Sequence, residues 1–73
     1  MARATVRTEI TGKVWKVVAT PGQKLGEDEA IVILESMKME IPVSAPVNCT
    51  LLEITVAEGD AVTEGDIIAH IET

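Results

Sequence analysis

The chain has no Phe and no Tyr, and Trp15 is its one aromatic residue. A core built by ring stacking is therefore excluded, and any interior must be assembled from Val, Ile, Leu, Ala and Met, a set that suits strands. Cysteine is almost as scarce. Cys49 stands alone, which rules out an internal disulfide and a cysteine-based metal site and leaves a small apolar residue expected to be buried. Basic residues are few, 6 against 12 acidic ones, for a formal charge of −6. Nucleic-acid binding rests on clustered Lys and Arg, so nucleic acid is not an expected partner. The longest apolar run, Ala30 to Leu34, falls far short of the roughly 20 residues a membrane helix needs, and the N-terminus lacks the apolar stretch of a signal peptide. No membrane association is expected, and the cytoplasm is the default location.

What is present is 73 residues, enough for one domain with a small core, taken here as residues 1–73. No long segment carries a helical period, which makes the chain all-β. Shifting the sequence against itself by 37 positions pairs Val6 with Val43, Gly22 with Gly59, Glu27 with Glu64, Ile31 with Ile68 and Glu35 with Glu72. Two repeats of about four short strands each follow, closed into a small barrel or packed as a sandwich. In the first strand Ala4, Val6 and Ile10 alternate with Thr5, Arg7 and Glu9. In its counterpart Ile41, Val43, Ala45 and Val47 alternate with polar residues or proline, and the prolines confine that strand to an edge. The next pair, Lys13 to Ala19 and Thr50 to Val56, is predicted to turn Trp15, Val17 and Ala19, and Leu52, Ile54 and Val56, inward. Lys16 and Glu53 then face out, and Trp15 should be buried between the sheets. The last strands, Ala30 to Leu34 and Ile67 to Ile71, are predicted to bury Ala30, Val32, Leu34, Ile67, Ala69 and Ile71, with His70 outward and without a role.

The turns are equally regular. Thr20-Pro-Gly22, Ala57-Glu-Gly-Asp60 and Glu64-Gly-Asp66 each carry the glycine that a left-handed turn position favours. Glu27-Asp-Glu29, which matches the last of these, does not. Asp tolerates the left-handed region, so an altered turn is expected there. The acidic clusters at these turns are read as solvated turn residues, and no metal site is assigned. Nor is there a Cys-His or Ser-His pair on a plausible common face, so no catalytic residue is assigned.

One stretch resists this regularity. In Ile31-Val-Ile-Leu-Glu-Ser-Met-Lys-Met-Glu-Ile-Pro-Val43 two strand-like segments flank Ser36 to Met39, which implies a hairpin with Met37 and Lys38 at its centre. Two-residue hairpin turns ordinarily take Asn-Gly or Asp-Gly, because both central residues need φ > 0, and here there is neither. Positive φ on residues with a Cβ costs on the order of 1 kcal/mol or more, so a requirement other than folding is expected at this tip. A tip lysine is ordinarily a solubilising charge and methionine ordinarily core filler, but methionines bracketing a lysine on an exposed turn leave apolar surface in water.

Glu35-Ser-Met-Lys-Met-Glu40 resembles the attachment motif of biotinyl domains, usually written Glu-Ala-Met-Lys-Met. The likeness extends over nearly the whole chain and is greatest to small free-standing biotin/lipoyl attachment proteins. It implies a flattened eight-stranded antiparallel barrel-sandwich hybrid of two quasi-dyad-related repeats, with the attachment lysine at a hairpin tip. By the same symmetry Lys38 matches Met1 at minus 37 and a position just past Thr73 at plus 37, so the termini should lie at the pole opposite Lys38. Two positions depart from the family pattern, which often has Gly where Asp28 stands and commonly where Cys49 stands.

The resemblance implies a carrier and not an enzyme. Biotin would be joined covalently to Lys38 by biotin protein ligase, with Met37 and Met39 setting the hairpin in the ligase groove and Glu35, Ser36 and Glu40 completing the recognised motif. A lysine amine is protonated at neutral pH and turns nucleophilic only once its proton is removed, here inside the ligase. The biotinyl-lysine would then carry a carboxyl group between the biotin carboxylase and carboxyltransferase components of a biotin-dependent carboxylase, the free domain being a monomer. Lipoyl domains usually have Asp-Lys-Ala at this turn, which makes a lipoyl-type acyl carrier an alternative. A barrel that binds a partner through its apolar turn and is never modified is another.

Overall fold

The alternating segments form eight strands in the computed structural model, which describes residues 2–73: β1 Arg3–Arg7, β2 Gly12–Val17, β3 Lys24–Leu25, β4 Ala30–Ser36, β5 Met39–Ser44, β6 Cys49–Ile54, β7 Ala61–Val62 and β8 Ile67–Glu72. They make two four-stranded sheets with the orders β1-β8-β6-β3 and β5-β4-β2-β7, all neighbours antiparallel. The two sheets pack as a sandwich. The described residues include no helix long and apolar enough to cross a membrane.

The 37-residue repeat recurs in the backbone hydrogen bonds of the turns. Val14 N–H donates to Asp60 O and its carbonyl accepts from Gly59 N–H; in the other half Leu51 N–H donates to Gln23 O and its carbonyl accepts from Gly22 N–H. The turns follow the same rule. Gly22 and Gly59 have φ of 93°, Gly65 has 92°, and Asp28, standing where symmetry asks for a second Gly65, adopts 70°. The left-handed turn expected at Asp28 is thus kept without glycine, at the steric cost a Cβ brings.

The core is one cluster whose fully enclosed members include Val14, Ile31, Val32, Leu34, Leu51, Ile68 and Ile71. Burying each such side chain is worth about 1.5–3 kcal/mol, which lets so small a chain fold without aromatics. Several expected inward positions are corrected here. Trp15 is 47% exposed, and Val14 faces the core in its place. The cause is a bulge: the β2–β4 register runs Val14↔Leu34 and then Lys16↔Ile33, so Trp15 is an extra residue and the alternation resets after it. Val17, Ala19 and Lys16 therefore keep their expected sides. Symmetry repeats the correction at Leu52, which is half-buried while Leu51 is enclosed.

A second pair of bulges falls at Ile31 and Ile68, where Ala30↔Ser44 is followed by Val32↔Val43 and Ile67↔Arg7 by Ala69↔Val6. Both isoleucines are completely buried, whereas Ala30 and Ile67 are only half-buried. Ala4 and Val47 prove exposed, the first on the edge strand β1 and the second in the loop past β5. Strand β5, with Pro42, is an edge as its proline requires. Cys49 is buried, and His70 lies half-buried opposite Thr5 and Glu53.

The symmetry also positions the chain ends. Met1 lies outside the described residues, but Ala2 and Thr73 exchange backbone hydrogen bonds of 3.2 and 2.8 Å, and they match Met39 and Ser36, the pair that closes the β4–β5 hairpin. Strand β1 runs from this end toward Thr11, whose carbonyl touches Ser36. The ends therefore lie a strand's length from that hairpin.

Candidate functional site

The β4–β5 hairpin is built by pairing Leu34 with Ile41, Glu35 with Glu40 and Ser36 with Met39. That leaves two residues to reverse the chain, and the right-handed twist of the strands asks both for positive φ. Met37 takes φ 52° and Lys38 φ 67°, as the sequence led us to expect, and neither is the glycine or asparagine that would accept this readily. The geometry costs about 1–2 kcal/mol for each residue. It brings no packing in return, because Met37 is 92% and Met39 62% exposed, and Lys38 between them is exposed as well.

Below the tip, Glu35 and Glu40 sit directly opposite each other, a like-charge pair that weakens a sheet by a few tenths of a kcal/mol. Lys13 is the register partner of Glu35 on its other side and offsets part of this repulsion. The row Lys13, Glu35, Glu40 therefore leads to the tip on the outward face. Ser36 points the other way and is half-buried. Its Oγ donates a 2.9 Å hydrogen bond to the carbonyl of Thr11, in the β1–β2 connection. Thr11 Oγ1 in turn accepts from Glu64 N–H at 3.1 Å, tying in the turn before β8. Gly12 completes the support. A Cβ there would lie 2.7 Å from Glu35 O and 3.3 Å from Ser36 Cβ, so only glycine lets β2 approach this closely without a backbone shift.

All six predicted residues, Glu35, Ser36, Met37, Lys38, Met39 and Glu40, thus belong to one hairpin end. Thr11, Gly12 and Glu64 were not foreseen there. Gly12 carried a readable signal, since a glycine inside a strand often marks close approach of another backbone. The bond from Ser36 ends on a backbone carbonyl and carried none.

Lys38 lines neither of two surface clefts found among the described residues. One cleft opens between the edges of β1 and β5, lined by Val6, Ile10, Ile41 and Val43 among others, and a second lies over Arg3, Leu52, Glu53 and His70; neither includes a residue of the tip. Among the described residues no three His, Cys, Asp or Glu side chains gather into a metal-binding group. Cys49 is set apart from the hairpin, and burial followed by the charge of Glu29 pushes its thiol above the ordinary range. An exposed amine at a hairpin tip, outside both clefts, suits a group held by a covalent bond and does not suit one held in a cavity.

Comparison with known proteins agrees on one family. The family model described as "Biotin-requiring enzyme", for biotin/lipoyl domains, matches residues 4–71. A biotinylated protein TB7.3 homolog of Mycobacterium leprae is 46% identical over 66 residues, covering 90% of this chain and 93% of that protein. A biotin/lipoyl attachment protein of Bacillus subtilis is 39% identical and covers 92% of each. The solved urea carboxylase of Kluyveromyces lactis contains the same fold, with a TM-score of 0.91 and 32% identity over 97% of this chain, which corresponds to 6% of that much longer one.

Proposed function

Because the chain belongs to the family of biotin-requiring enzymes and their biotin/lipoyl attachment domains, whose cofactor is biotin, we propose that Lys38 is the residue to which biotin is joined and that residues 1–73 act as a single carrier domain. The observation behind this reading is the tip itself: two left-handed residues, neither of them glycine, hold an exposed lysine between exposed methionines. Stability alone would select a different turn.

The attachment step needs a second protein, since neither of the two clefts among the described residues reaches Lys38 to hold an activated acid beside its amine. In biotin protein ligase the deprotonated Lys38 Nζ attacks the acyl carbon of biotinyl-adenylate. An amide bond forms, the acyl–phosphate bond breaks, AMP leaves and the lysine proton passes to a base of the ligase or to water. Met37 and Met39 provide the apolar contact that the ligase recognises, with Glu35, Ser36 and Glu40 completing the motif. Neither Asp nor Ala flanks Lys38, which favours biotin over lipoate.

Once attached, biotin supplies the chemistry of carboxyl transfer, and the chain supplies position. A tether on a rigid base gives its end an effective concentration of order mM at sites within reach, so one carrier serves a biotin carboxylase and a carboxyltransferase in turn. Intact mass of the chain produced in cells with an active biotin ligase tests the reading. One added biotinyl group supports it. A lipoyl increment transfers the chain to acyl carriage, and an unmodified mass supports the adaptor alternative.

A further inference from the structure

The repeat relates the two sheets, so their outer faces can be compared position by position. In the sheet that carries the hairpin, Lys16 pairs with Ile33 and Ile33 with Pro42, the next outward row beyond Lys13, Glu35 and Glu40 on the way from the tip. Trp15, the bulge residue before Lys16, is 47% exposed, and Lys16 Nζ lies 5.9 Å from the centre of its ring. A shift of 37 positions turns Trp15, Lys16, Ile33 and Pro42 into Leu52, Glu53, His70 and Thr5 on the other sheet. The register there is the same, Glu53 with His70 and His70 with Thr5. The fold is thus made equally well with polar side chains along this row and a half-buried leucine in the bulge. Packing does not ask for an indole in water beside an apolar row, and solvation disfavours it.

We infer that Trp15, Lys16, Ile33 and Pro42 form a resting subsite for the biotinyl group carried on Lys38 of the same chain, which it occupies between encounters with enzymes. The inference rests on the reading of Lys38 as the biotin acceptor. The row is within reach. Pro42 follows Lys38 by four residues, about 14 Å along a strand that rises about 3.4 Å per residue. An extended biotinyl-lysine carries its ring system about 14 Å from the lysine Cα, by ordinary bond lengths. The matching row of Thr5, His70 and Glu53 lies on the other side of the sandwich. The chemistry matches as well. Biotin presents a thioether ring fused to a cyclic urea, an apolar body with one strong acceptor oxygen. Thioether sulfur packs favourably against an aromatic ring, which Trp15 supplies, and Ile33 and Pro42 offer apolar surface beside it. The Lys16 ammonium, already beside the indole, donates to the urea oxygen, whereas Glu53 at the matching position is an acceptor only. Weak contact is sufficient, because the tether holds the group at an effective concentration of order mM. A subsite with a dissociation constant of that order is filled about half of the time and still releases the group to an active site.

The test is the fluorescence of the single tryptophan in the unmodified chain and in the chain shown by mass to carry one biotinyl group. Biotinylation should move the emission to shorter wavelength and lower the acrylamide quenching constant by up to about half, the occupied fraction. Nuclear Overhauser contacts between the biotin ring protons and the Trp15 indole should appear in the same sample. Lys16→Ala should weaken both effects. In the double variant Trp15→Leu with Leu52→Trp the reporter moves to the other sheet, and biotinylation should leave its emission and quenching unchanged. Should that variant fail to fold, the Overhauser contacts in the wild-type chain decide. Unchanged quenching together with no such contacts in the biotinylated wild type overturns the inference, as does an equal response in the folded double variant. A wild-type chain that the ligase leaves unmodified removes the reading of Lys38 as acceptor instead. The subsite is then decided by Lys38→Cys in a Cys49→Ala background, alkylated with a biotin iodoacetamide, where unchanged quenching excludes it.

Discussion

Trp15 and Leu52 hold the same place in the two halves of the molecule, each the unpaired residue of a β-bulge, with an enclosed residue, Val14 or Leu51, just before it. Bulges increase local twist and bend a strand. Here they also let the strand restart its alternation, so that the residues after the bulge face the core again. The lone aromatic of the chain is consequently on the surface, with the amine of Lys16 5.9 Å from the centre of its ring.

Truncation separates the two classes of position. Leu51→Ala should lose about 2–5 kcal/mol, a large part of what a domain this small possesses. Trp15→Ala should lose about 1 kcal/mol or less, chiefly its cation–π contact. Thermal melting compares them, and the native tryptophan emission should be red-shifted and readily quenched. Equal losses in the two variants would place Trp15 in the core after all.

The hairpin should be more stable with a more ordinary turn. Met37→Asn puts a residue suited to φ > 0 at the first central position, and up to about 1 kcal/mol of stability should be gained. Biotin transfer should fall in the same variant, because the apolar contact is lost. A variant that melts no higher than wild type would show that the tip is not strained, and undiminished transfer would show that the ligase does not read Met37.

Cys49 gives the molecule a dependence on alkaline pH. Its thiol is raised in the folded chain, by burial first and by Glu29 second. The unfolded chain therefore releases this proton at a lower pH than the folded one. The contribution is complete below the ordinary thiol range and is lost as pH rises through the folded value. Denaturant unfolding of wild type and Cys49→Ala from pH 7 to 10 should diverge, with wild type losing more stability across the interval. Parallel curves would remove the effect.

How much of this was legible in the sequence depended on how local the determining physics is. The hairpin was readable because its constraint sits in two adjacent residues, Met37 and Lys38, where a two-residue turn fixes the sign of φ. The repeat was readable because matched pairs such as Val6 and Val43 need only agree in character. The bulges were not. In Lys13-Val-Trp-Lys-Val17 an inward Val14 and an inward Trp15 each fit part of an alternating pattern, and only the partner strand decides between them. Ile31 and Ile68 lie in continuous apolar runs, where alternation says nothing about sides. The bond from Ser36 to Thr11 was hidden for a related reason, since a backbone carbonyl offers the same acceptor whatever the residue type.

The assignment of Lys38 is tested most directly by peptide mapping of the chain after reaction with purified biotin ligase, ATP and biotin, beside Lys38→Ala with its fold checked by melting. An exposed tip contributes little burial, so the variant should melt close to wild type. A single biotinylated peptide containing Lys38, and no label anywhere in folded Lys38→Ala, is the expected result. Label on Lys13, Lys16 or Lys24 of wild type, or persistent labelling of the variant, would contradict it.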